Sequence, residues 1–105
     1  MTDKLAWFDR AAEGCRARKA ALEREQRGDE AIFEQIRLNV YNLFREAYAD
    51  GREAPAEMEK RLRGITAPWE EALRVARRRG DAVSACIEQI KLAAAADVRR
   101  EVPYD

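Results

Sequence analysis

The 105-residue sequence predicts an all-α fold: an antiparallel helical bundle of four helices arranged as two αα-hairpins. Three observations carry this. Val, Ile and Thr together number only 12, and no segment alternates apolar and polar residues as a half-buried strand does. Apolar side chains instead recur at three- and four-residue spacing in four successive stretches, the period of one helix face. The junctions at Gly28-Asp29 and Gly80-Asp81 are too short for anything but an antiparallel turn between helices. At this length the chain reads as one domain spanning 1–105.

The first helix is expected from a Thr2 or Asp3 cap to about Arg27, with Leu5, Phe8, Ala12, Cys15, Lys19 and Leu22 on its stripe. The second runs from Asp29 to Gly51 and carries many of the large apolar residues. Asp29 is a suitable N-cap and Gly51 a suitable left-handed terminator. Its stripe, Ile32, Phe33, Ile36, Val40, Leu43, Phe44 and Ala47, is expected to face the core. Leu38 lies off that stripe, on a second face with Glu34, Tyr41, Arg45 and Tyr48.

Pro55 suits the first turn of a third helix whose stripe is Met58, Leu62, Ile65, Trp69, Leu73 and Ala76. The stripe passes Gly64 and Pro68, and proline removes the hydrogen bond to the carbonyl four residues back. A kink or break near Gly64-Pro68 is therefore expected. Arg77-Arg78-Arg79-Gly80 closes this helix, and Asp81 caps a fourth with Val83, Ile87, Ile90, Ala94 and Val98 inward and Pro103 beyond its end.

The second and fourth helices share text at an offset of about 54 residues, a spacing found by laying one on the other. Residues 31–38, AIFEQIRL, align with residues 85–92, ACIEQIKL, and Arg45 falls on Arg99. An internal duplication of an αα-hairpin is one reading, and convergence of two amphipathic helices the other. The off-stripe faces repeat as well: they either pack under neighbouring helices within the monomer or serve as an interface, for which Glu34, Leu38, Tyr41, Arg45, Tyr48, Glu88, Leu92 and Arg99 are the candidates. The partner expected there is a second copy, with a dimer favoured, or another helical protein.

Function is constrained mostly by exclusion. The chain has no histidine, which removes the commonest general base and metal ligand. It has two cysteines, Cys15 and Cys86, no P-loop and no glycine-rich dinucleotide turn. The pairs Glu30/Glu34, Glu57/Glu59 and Glu70/Glu71 lack a facing carboxylate pair that would complete a metal site. No catalytic, cofactor-binding or metal residue is assigned, no small-molecule ligand is evident, and a non-enzymatic interaction or scaffold protein is expected.

Twenty basic residues balance twenty acidic ones, whereas nucleic-acid-binding domains draw affinity from net positive charge. The alternative function, a nucleic-acid-associated regulator, rests on Arg74 and Arg77, Arg78 and Arg79 as phosphate contacts. Residues 1–12 carry four charges and no apolar core run. No stretch has the ~20 apolar residues of a membrane span. A cytoplasmic protein with both thiols reduced and buried is expected.

Overall fold

The computed structural model describes residues 4–50 and 54–102. Four helices account for nearly all of them: α1 (Lys4–Arg24), α2 (Gly28–Ala49), α3 (Pro55–Arg78) and α4 (Ala82–Glu101). No strand occurs among the described residues.

The two hairpin turns are built differently. Between α3 and α4, Gly80 adopts the left-handed conformation at φ 66°. Its amide donates to the Arg77 carbonyl, and the Asp81 amide donates to the Ala76 carbonyl, a Schellman closure. Asp81 then caps α4, its carboxylate accepting from the Ser84 amide at 3.1 Å. The turn after α1 reaches the same closure without glycine. Gln26 takes the left-handed position at φ 60°, and the Arg27 amide donates to the Leu22 carbonyl. Arg27, not Asp29, is the N-cap of α2, and no side chain caps it. Asp29 instead sits in the first turn, where its charge complements the helix dipole. Thr2, Asp3, Gly51 and Pro103, named as caps or terminators, lie outside the described residues.

Of the kink or break expected in the third helix, the break is absent, since α3 runs continuously through Gly64 and Pro68. Both residues are exposed, so the Gly64 carbonyl that loses its donor can turn to water.

Each hairpin is antiparallel, but the second helix of one packs on the second helix of the other. The order across the molecule is α1, α2, α4, α3. The helices α2 and α4 run side by side in the same direction. Tyr48 near the end of α2 donates to the Val102 carbonyl at 2.7 Å, while Ile32 and Phe33 near its start face Val83, Cys86 and Ile87. The bundle is consequently flat, 41 × 35 × 17 Å.

The core lies at one end of this layer. Phe8 and Ala12 of α1, Tyr41, Phe44 and Tyr48 of α2, Met58 and Leu62 of α3, and Val98 and Val102 at the end of α4 form one buried cluster. Trp7 packs edge-on against Phe8 and Tyr41, with centroids 5.3 and 5.4 Å away. Such contacts add to simple area burial. Every buried residue of α4 falls from Ala94 onward, and its first half, Ala82 to Lys91, has none.

Candidate functional site

The placement of the α2 faces departs in part from the expectation from periodicity: Val40, Phe44 and Ala47 are buried as expected, but the rest of the stripe is not. Glu34, Leu38, Tyr41 and Tyr48, expected at an interface, are buried within the monomer. Ile32 and Leu43, expected in the core, are 56% and 42% exposed, and Phe33 and Ile36 are only half-buried. At about 100° per residue, the buried arc is rotated by about 100° from the predicted stripe. The reason lies in α2 having two neighbours. It must face α1 and α4 at once, and a wide arc from Ala47 through Phe44 and Tyr41 to Ala31 meets both.

Polar tips on the buried side are answered in part: Tyr48 and one oxygen of Glu34 have specific partners, while Glu34 Oε2 is buried without a hydrogen bond from the chain. Glu34 Oε1 accepts from Arg37 at 2.6 Å and pairs with Arg18 of α1 at 3.2 Å. The Tyr48 hydroxyl is satisfied by the Val102 carbonyl. Burial, then Asp97, pushes the Tyr41 phenol up to about 12. Cys15 is fully buried, and burial first, then the Glu34 charge, raises its thiol above the ordinary range. Cys86, expected to be buried too, is only half-buried.

The remaining predicted interface residues are spread among the hairpins. Arg45 is half-buried and its Nε donates to Asp9 of α1 at 3.0 Å. Arg99 reaches Glu59 of α3 in the same way. Glu88 accepts from Lys91 at 3.1 Å, matching Glu34 with Arg37. Leu92 is half-buried beside Thr66 and Glu70 of α3. The arginine cluster at the end of α3 is exposed, but Arg74 and Arg78 both pair with Glu71.

What this rotation leaves uncovered is an apolar cleft at the open end of the bundle. The first turns of α2 and α4 flank a cavity of about 470 Å³ lined by Asp29, Ile32, Phe33, Ala82, Val83, Cys86 and Ile87. Val83 on its rim is 72% exposed. Further along the same side of α2, Ile36, Val40 and Leu43 meet Trp69 of α3 around a smaller depression. Lys91 lies over the Trp69 ring at 5.8 Å from its centroid. From Ile32 to Leu43 the strip extends about 16 Å at the helical rise per residue. Among the described residues the three most exposed large apolar side chains are Ile32 and Leu43 on this strip and Val83 across the cleft on α4.

Sequence reasoning found these residues and assigned them the wrong side. The signal available was the large body of tyrosine on the second face, an apolar ring whose hydroxyl can be buried once it finds a partner.

The lining carries one carboxylate and one thiol, too few groups for acid-base pairing. Among the described residues no three Cys, Asp or Glu side chains converge as a metal site would require. No helix of the described residues is long and apolar enough to cross a membrane. The chain matches no protein-family model, no curated protein and no solved structure.

Proposed function

We propose that this chain is a non-catalytic helical scaffold that acts by associating with itself. The observation that carries the reading is the amount of surface it leaves open. Its accessible area is 6910 Å² at 12.0 kDa. A folded monomer of that mass exposes about 6,000 Å², so the surplus is about 900 Å². Each partner of a standard protein interface contributes about 800 Å². The radius of gyration agrees: 14.9 Å against about 13 Å for a compact domain of this length.

The two hairpins are read as structurally equivalent halves, as an internal duplication would leave them. Support comes from the paired contacts, Glu34–Arg37 with Glu88–Lys91 and Asp9–Arg45 with Glu59–Arg99. Equivalent substitutions, Arg45→Ala and Arg99→Ala, should then have matching effects on the urea midpoint, and widely different ones would count against equivalence. The nucleic-acid reading draws less support, since Arg74 and Arg78 already share Glu71.

Light scattering over a wide concentration range tests the scaffold reading. A dimer mass that dissociates on dilution is expected. A monomer mass up to the solubility limit would overturn it.

A further inference from the structure

We propose that the contact between copies is the cleft between the N-terminal halves of α2 and α4, and that its occupant is a second copy of this chain, set antiparallel across a two-fold axis. This rests on the self-association reading above and adds the surface and the register.

One observation places the surface, and two general arguments favour a second copy as its occupant. Among the described residues the most exposed large apolar ones gather here, with Ile32 and Val83 at the cleft and Leu43 further along α2. Apolar side chains gathered on one side of a small monomer mark an interaction site, whereas scattered ones need no explanation. The surplus of about 900 Å² belongs to the whole flat molecule, and it is of the size that one side of a standard interface removes from water. A partner of the same sequence also closes the assembly, because a two-fold contact uses the same patch on both copies and leaves none for further growth.

Charge fixes the register. The strip has Asp29 at its α2 N-terminal end and Lys91, against Trp69, at the other. An antiparallel pairing places each Asp29 near the other copy's lysine end, although that lysine also reaches Glu88 of its own chain. A parallel pairing would oppose Asp29 to Asp29, which is repulsive in a partly desolvated contact. Cys86 in the cleft wall is a native reporter of this contact, and fully buried Cys15 serves as an unreactive internal control.

The test uses the full chain. With wild type, maleimide labelling of Cys86 is followed by mass spectrometry at rising protein concentration, alongside light scattering. Labelling should slow severalfold as the dimer forms, while Cys15 stays unlabelled until the chain is unfolded. Ile32→Glu and Val83→Glu should yield monomers with unchanged helical circular dichroism. Asp29→Lys should weaken the dimer, and Asp29→Lys combined with Lys91→Glu should restore it. A wild type that stays monomeric removes self-association and the cleft proposal with it. A wild-type dimer whose Cys86 labels at a concentration-independent rate, and which survives Ile32→Glu, leaves self-association standing and overturns the cleft. A dimer indifferent to Asp29→Lys overturns the antiparallel register.

Discussion

The two ends of the α2–α4 pair are built from similar side chains and are used in opposite ways. At the closed end, Phe44, Tyr48, Val98 and Val102 are buried, and α1 and α3 add Phe8, Met58 and Leu62. At the open end, Ile32 and Val83 are largely exposed and Phe33, Cys86 and Ile87 line a cleft. Apolar content does not separate the two. What separates them is which neighbours arrive, and whether the polar atoms that come with the apolar ones find a partner. Tyr48 can be buried because Val102 offers a carbonyl, and Glu34 because Arg18 and Arg37 reach it. Tyr48 is buried with its hydroxyl paired, whereas Glu34 is buried with one oxygen paired and Oε2 left without a hydrogen bond from the chain, so its two arginines offset only part of the burial cost.

The contrast can be broken most severely at the closed end. Phe44→Ala removes a fully buried ring shared between helices and should cost about 3–5 kcal/mol. That is a large part of the roughly 5–15 kcal/mol available to a domain of this kind. Urea unfolding followed by circular dichroism would show it as a shifted midpoint, and a loss below about 1 kcal/mol would mean that the closed end is not the core.

A smaller effect comes from pH. The Tyr41 phenol is held near 12 in the fold, against about 10 in the unfolded chain. Because the folded value is the higher one, this contribution is complete below pH ~10 and is lost as pH rises through ~12. The loss amounts to about 3 kcal/mol at most. The groups facing Tyr41 are Asp97, Cys15, Arg37 and Arg18, and the Cys15 thiol adds a loss of the same sign on the alkaline side. Tyr41→Phe should therefore flatten the decline between pH 10 and 12 without abolishing it. An unchanged slope would place Tyr41 in contact with water.

The turns give a comparison of their own. Asp81→Ala deletes a side chain that accepts from both the amide and hydroxyl of Ser84, whereas Asp29→Ala deletes only a first-turn charge. Thermal unfolding should register the first clearly and the second less. Equal shifts would show that the α2 start depends on Asp29 after all.

At the open end the smallest change is expected. Ile32→Ala should alter monomer stability by no more than about 0.5 kcal/mol, measured at a concentration low enough to suppress association.

Much of the fold was legible because local signals agreed with the global arrangement. Gly80, Asp81 and Pro55 mark helix ends through backbone requirements that tertiary packing does not override. The α2 start was misplaced because Gln26 entered the left-handed region, a position expected of glycine. The inward face of α2 was misread for a different reason. Periodicity ranks faces by hydrophobicity, and Ile32, Ile36 and Leu43 outrank Glu34, Tyr41 and Tyr48 on that scale. The deciding terms, the Glu34–Arg18 pair and the Tyr48–Val102 hydrogen bond, join residues 16 and 54 positions apart. No local pattern contains them. Pairing of α2 with α4, which leaves the cleft open, is also a long-range choice.

The helix α2 turns its Leu38 side inward and its Ile32 side outward. Equilibrium unfolding of Leu38→Glu and Ile32→Glu, compared at one low protein concentration, tests it most directly. Leu38→Glu should lose most of its stability, because a carboxylate is forced into the packed interior, while Ile32→Glu should unfold close to wild type. The opposite ranking, with Ile32→Glu the disruptive change, would contradict it.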